Sequence, residues 1–217
     1  MDNPGPDRSA ALLPLILVGG GGHCQACIDV LEAAGGYAIQ AIADRPEQLG
    51  KQVSGYPIRY TDADLPALLA QCPHALICLG QIKSSEPRRV LYERITALGG
   101  VCVSPVSPLA HVSPRAAFGP GTLVMHQAML NAGVQIGLCG IINSRALLEH
   151  GVRVGDFCHI STGAIVNGDC QVGSGVFVGS GAVIIQGVSI GDNAVIGAGS
   201  LVLRDVPAGQ TVCGIWK

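Results

Sequence analysis

The chain has 217 residues, of which 13% are charged and 4% aromatic, with 31 glycines and a formal net charge of −2. That length holds one large domain or two small ones with a real core, and so few aromatic rings imply a core of regularly stacked small and β-branched side chains. Lys and Arg are scattered without a basic run, so the electrostatic footprint of a nucleic-acid-binding surface is missing. The longest apolar stretch, Ala10 to Val18, is interrupted by Pro14 and preceded by Asp2 and Asp7. It is too short to span a bilayer and lacks the basic start of a secretory signal, so the chain reads as cytoplasmic with no membrane partner. Nine cysteines, from Cys24 to Cys213, form an odd set without framework spacing, which favours reduced thiols over disulfides. Cys24 and Cys27 make one CxxC pair, but Cys27 also belongs to an apolar helical set, so packing is favoured over redox chemistry.

In chain order, Leu15 to Val18 predicts a short buried strand, followed by Gly19-Gly20-Gly21-Gly22-His23. Cys27, Val30, Leu31 and Ala34 then mark an amphipathic helix closed by Gly35-Gly36. A second strand, Tyr37 to Ala43, ends at Asp44. A helix from about Asp64, a strand from Ala75 to Leu79 ending at Gly80, a helix from Glu86 to Leu98 capped by Ser85, and a strand from Val101 to Val103 follow. The alternation predicts a small doubly wound parallel sheet. Its glycine turn would aim backbone N–H groups and a helix N-terminus at a phosphate, and Asp44 is placed to meet a ribose hydroxyl. The third glycine of the dinucleotide fingerprint would fall at Cys24, and the same turn also serves as a plain structural connection.

From Val106 the period changes. An aliphatic residue, or once Phe, stands at every sixth position through Val202, and a small or short branched residue follows each by four, as at Ala110, Ala128, Val152 and Ala164. Neither the 3.6 period of a helix nor the period of 2 of a lone strand explains this phase. Each hexad is one short strand and a corner, with the sixth-residue aliphatic pointing into a prism. At ~1.5–3 kcal/mol per buried aliphatic, that column supplies tens of kcal/mol gross, mostly offset by chain entropy. Gly155, Gly173, Gly191 and Gly197 each follow an inward residue, where tight corners and close backbone approach are expected.

A GGGGH turn in a short α/β unit that leads straight into hexapeptide repeats resembles the sugar O-acyltransferase family, which includes sialic-acid O-acetyltransferases and UDP-4-amino-sugar N-acetyltransferases. The likeness runs from Leu15 to about Val212 and is sharpest at Ile141-Ile142-Asn143-Ser144-Arg145-Ala146-Leu147-Leu148-Glu149-His150 and at Val154-Gly155-Asp156-Phe157-Cys158-His159-Ile160-Ser161. The resemblance implies an α/β Rossmann-like domain over 12–104 and a left-handed parallel β-helix over 105–212, at about 5.7 coils of three hexads each. It further implies a homotrimer, acetyl-CoA as co-substrate in the groove between neighbouring β-helices, a nucleotide-sugar acceptor and no metal. Carried over by position, His150 is the general base and Asn143 contacts the acceptor sugar. His159 and Gly168 meet the acetyl or thiol end of CoA, with Ser180 and Ala198 further along it. Gly21, Gly22, His23, Asp44, Arg45 and Gly80 line the nucleotide.

The register supports part of this. His150 lies two residues after the inward Leu148 and so projects outward, with Gly168 one coil on and Ala132 one coil back, leaving space beside the imidazole. Histidine is also the side chain suited to taking a proton near neutral pH. Three departures stand out. Many relatives carry a carboxylate directly after the base, where this chain has Gly151; Glu149 precedes His150 and is the substitute candidate, although strand neighbours point to opposite faces. The usual Gly-Asn-Pro-Ala ending is replaced by Cys213-Gly214-Ile215-Trp216-Lys217, and Met125-His126 replaces an apolar-Pro pair in a way expected to reshape the acceptor pocket. N-acetylation of a nucleotide-linked 4-amino-sugar is the first reading and O-acetylation of a sialic-acid-type sugar the second. A zinc carbonic anhydrase of the same fold, using His111, His126, His150 and His159, and a non-catalytic nucleotide-sugar-binding trimer are the competing classes.

Overall fold

The computed structural model describes residues 11–217; Asp2 and Asp7 and the start of the Ala10 to Val18 run lie outside the described residues. The N-terminal half is a six-stranded sheet of β1 (Leu13–Val18), β2 (Tyr37–Asp44), β3 (Gln52–Val53), β4 (Tyr56–Thr61), β5 (His74–Ile77) and β6 (Val101–Cys102), in the order β3-β4-β2-β1-β5-β6. All pairings are parallel except the β3–β4 hairpin at the edge. Strand alternation divides the core in two. Leu15 and Leu17 pack with Cys24, Cys27, Ile28 and Leu31 of α1 (Gly22–Ala34). Ile16 and Val18 pack with α2 (Leu65–Gln71) and α3 (Glu86–Ala97) on the opposite side.

Helix α1 ends as expected, with Gly35 at φ 70° and its N–H on the Leu31 carbonyl at 3.1 Å. Cys24 and Cys27 are fully buried in its apolar face as free thiols, in line with packing. The expected cap of α3 differs. Ser85 is buried with helical dihedrals and makes no side-chain cap, and the Glu86 N–H is received instead by Ser84 Oγ at 3.2 Å.

The C-terminal half is a triangular, left-handed β-helix. Through Val202 its strands pair in parallel with partners 18 residues away, as in Leu130–Leu148–Val166–Ile184–Val202, and the closing coil is shorter, pairing Val195 with Thr211 and Leu201 with Ile215. One face runs from Leu123–Val124 through His159–Ile160 to Thr211–Val212 and is called the first face here. The second face contains Leu147–Leu148 and continues to Ile215–Trp216, and the third contains Arg153–Val154. Inward aliphatics from Val124 to Val202 are at most 6% exposed, whereas Val106, Val112 and Phe118 are only partly buried at the start of the prism.

The corners are turned by a rule invisible to hydropathy. Every sixth residue from Gly121 to Gly199 has φ between 51° and 77°, and glycine shares these positions with Gln127, Cys139, Arg145, Phe157, Asp169 and Asn193. Gly155, Gly173, Gly191 and Gly197 are not the corner turners. They are glycines because a Cβ there would strike the next coil, for instance Ser174 N at 2.7 Å from position 155. Close approach was therefore correctly expected for them and tight turning was not.

The α/β half sits on the first face. Leu123, Met125 and Ile141 join the core under α1, and Leu138, Cys139 and Phe157 join that under α2 and α3. Among the described residues no helix is long and apolar enough to cross a membrane. Because the inner column is dry and close-packed, Leu148→Ala is expected to cost about 2–5 kcal/mol, read as a lower denaturant midpoint at unchanged secondary structure.

Candidate active site

The glycine turn is two pairs with different physics. Gly19 has φ 102°, and a Cβ there would collide with Leu79; at Gly20 it would collide with Ile58. Gly21 and Gly22 face open space, with Gly21 as the N-cap of α1. Asp44 closes the turn from the end of β2: Oδ2 accepts the Gly20 N–H at 2.6 Å and Oδ1 accepts the Arg45 N–H at 2.7 Å. Both oxygens thus already brace backbone, and a ribose would share them. Arg45 is exposed beside it.

Gly80 follows β5, and a Cβ there would lie 3.6 Å from His23 Cβ, so His23 lies over that loop. The His23 ring centroid is 6.2 Å from that of His159, which enters from the first face of the prism. His159 is 7% exposed, and its Nδ1 donates to the Gln81 carbonyl at 2.8 Å. Its Nε2 therefore carries the lone pair and accepts from Asn143 Nδ2 at 3.0 Å. Asn143 Oδ1 in turn accepts the Ser144 N–H at 2.7 Å, which fixes the amide's orientation. Burial, with the Arg88 charge adding to it and the Gln81 hydrogen bond opposing it, pushes the His159 pKa down to about 4. The ring is neutral at physiological pH, with one tautomer favoured by its partners.

Behind this cluster lies Arg88, 2% exposed. It donates to Gln81 Oε1 at 3.0 Å and to the Cys139 carbonyl, while Gln81 Nε2 reaches the Gly175 carbonyl at 3.1 Å. Gln81 and Arg88 thus pin the loop after β5 to the prism and hold His159 through a backbone carbonyl. Neither was singled out from the sequence, because buried polar residues in a loop and on a helix carry no periodic signal. A second bridge joins α1 to the prism: His126 Nε2 meets Asp29 Oδ2 at 2.8 Å and its Nδ1 meets Ser107 Oγ at 2.6 Å.

His150 lies elsewhere, on the corner between the second and third faces. That edge is across the prism from the first face, where His23, Asn143 and His159 gather. Its side chain is 59% exposed, and a Cβ on Gly168 would stand 2.5 Å from its Cε1, so the glycine makes room for the ring. Glu149 turns its carboxylate back to the His150 N–H at 3.2 Å and is hydrogen-bonded there. The acid nearest the ring is Asp169, one coil on, with Oδ1 3.8 Å from His150 Nδ1. The 18-residue register places Asp169 over Gly151, and following polar columns as well as apolar ones would have revealed it. Ser180 and Ala198 are exposed on the corner between the first and second faces, where Ser180 Oγ meets Ser161 Oγ at 3.0 Å. His111 is on the second face, so the four histidines considered for zinc are dispersed, and no group of three or more His, Cys, Asp or Glu side chains suited to a metal occurs among the described residues.

An open glycine turn docked on a hexapeptide prism, with a histidine standing over a glycine on its edge, defines the class: the hexapeptide-repeat acyltransferases. Residues 14–95 match the profile of the PglD N-terminal domain, and residues 169–204 match that of the bacterial transferase hexapeptide repeats. Among solved structures, PerB from Caulobacter crescentus, in complex with CoA and GDP-perosamine, is 33% identical with a TM-score of 0.87, covering 94% of this chain and 95% of that one. The acetyltransferase domain of PglB from Neisseria gonorrhoeae, in complex with acetyl coenzyme A, is 30% identical with a TM-score of 0.87, covering 94% and 97%. WeeI from Acinetobacter baumannii shares the fold at 23% identity and a TM-score of 0.82, covering 92% and 96%. A comparison with curated protein sequences finds no match. The chain belongs to the sugar O-acyltransferase family of the sialic-acid O-acetyltransferase and UDP-4-amino-sugar N-acetyltransferase type, and it is an acyltransferase.

The depressed His159 pKa has a consequence for stability. Between the ordinary value of 6.5 and about 4, the unfolded chain binds a proton that the folded chain refuses, so stability falls as pH drops through that window. Moving from pH 7 to pH 4.5, the wild type is expected to lose about 2–3 kcal/mol relative to His159→Gln. Paired denaturant curves at the two pH values check this.

Proposed function

We propose that the protein transfers the acetyl group of acetyl-CoA to the amine of a nucleotide-linked 4-amino sugar, with His150 as general base, in a homotrimer. The observation that carries this reading is the position of His150. It is an exposed imidazole seated on a glycine, on the prism edge opposite the face that carries Asn143 and His159 and meets His23 of α1. A neighbouring copy that presents its His150 edge to those residues would bring both groups to one substrate. Support for the chemistry comes from PerB, bound to CoA and GDP-perosamine, and from PglB's domain, bound to acetyl coenzyme A.

In this reading the nucleotide lies over Gly21 and Gly22 at the N-terminus of α1, flanked by His23, Asp44, Arg45 and Gly80. Asn143 orients the sugar, using the Nδ2 hydrogen that His159 does not take. The neutral amine attacks the thioester carbonyl carbon, and His150 removes the amine proton as the C–N bond forms. The Gly168 N–H meets the carbonyl oxygen as it becomes an oxyanion. The C–S bond then breaks, and the thiolate leaves with the proton held by His150. His159, neutral and fixed, borders the acetyl end, and Ser180 and Ala198 border the rest of the co-substrate. The His150 edge continues over two to three coils, about 10–15 Å, to an open cleft of about 670 Å³ lined by Gln186, Gly187, Arg204 and Trp216, which suits an elongated ligand.

His150→Ala is expected to lower turnover by about 10²–10⁴ while leaving assembly and nucleotide-sugar binding intact. Thiol release with acetyl-CoA and UDP-, dTDP-, GDP- and CMP-linked sugars measures it, and mass spectrometry of the product separates an amide from an ester. Wild-type protein that binds a nucleotide sugar without turnover would contradict the enzymatic reading for every acceptor tried.

A further inference from the structure

We infer that Asp169 is the positioning carboxylate of His150, supplied from the next coil in place of a side chain at position 151. The inference rests on the general-base reading of His150. Asp169 is tied to the histidine by backbone, its N–H donating to the His150 carbonyl at 2.9 Å. Its side chain extends over the same corner, so that a Cβ added to Gly151 would collide with Asp169 Oδ1. The carboxylate thus occupies the volume that a side chain following the histidine would take. From there Oδ1 lies 3.8 Å from His150 Nδ1, within ion-pair reach.

The competing acid is already engaged, since the Glu149 carboxylate accepts the His150 backbone N–H. Position 169 has φ 61°, a conformation that Asp tolerates better than most residues and that glycine occupies at the equivalent corner of the coil before. Gly168 supplies the other half of the device, because any Cβ there would displace the ring. With Nδ1 facing Asp169, Nε2 is left as the nitrogen that takes the amine proton. The carboxylate then holds the Nδ1–H tautomer and stabilises the imidazolium formed during the reaction.

The test is steady-state kinetics of the wild type, Asp169→Asn, His150→Ala and the double swap Gly151→Asp/Asp169→Gly. Asn keeps the size and the left-handed backbone, so its melting temperature should match the wild type. Asp169→Asn is expected to lower kcat roughly tenfold with both KM values unchanged. The swap, which returns a carboxylate to the same corner from the other coil, should recover most of the rate. A wild-type kcat in Asp169→Asn, with His150→Ala inactive, would overturn the role of Asp169 alone. Turnover that survives His150→Ala would overturn the general-base reading beneath it.

Discussion

The six-residue spacing of inward aliphatics is the constraint on which the rest depends. Each coil must return after 18 residues so that Leu148 stacks between Leu130 and Val166, and that requirement fixes every outward residue to a face or an edge. Glu149, His150 and Gly168 fall together on one edge for this reason, and Asn143 and His159 on another part of the surface. Left-handed dihedrals recurring at every sixth residue turn the corners, and they bring backbones close enough that Gly155 and Gly173 tolerate no side chain. The repeat distance of the solenoid is set by strand pairing.

The α/β half contributes a second kind of order, built from buried polar contacts. Arg88 is a guanidinium almost without solvent that donates to oxygens on two segments, and removing it would leave Gln81 Oε1 and the Cys139 carbonyl without that donor. Through Gln81 it fixes the orientation of His159, while burial keeps that ring neutral, so a helix on the α/β half helps position a side chain on the prism. His126 and Asp29 make a second connection between the halves, more open to solvent and correspondingly weaker. The glycine turn after β1 and the prism surface beside it are therefore positioned as one unit.

Much of this was legible because apolar periodicity is a strong signal. The hexad phase located the inward column without a slip, and the outward position of His150 followed from counting two residues past Leu148. Other features lacked such a signal. The β3–β4 hairpin escaped notice because Pro57 interrupts a strand-like run and no alternation announces an edge strand. Corner residues such as Phe157 and Cys139 adopt left-handed dihedrals that their side chains do not advertise, since the winding of neighbouring coils imposes them. Ser85 looked like a helix cap by type, but its burial hands that role to Ser84. Asp169 was concealed by distance along the chain, because its partner is one coil away.

The proposed active site is assembled from the His150 edge of one copy and the His23, Asn143 and His159 cluster of another. Co-expressing His150→Ala with His159→Ala chains, each inactive alone, tests that directly through the turnover of the mixed assemblies. Random mixing should restore about a quarter of the wild-type rate, because that fraction of the interfaces pairs an intact edge with an intact face. A mixture as inactive as either variant by itself would contradict a shared site and place both groups within a single chain.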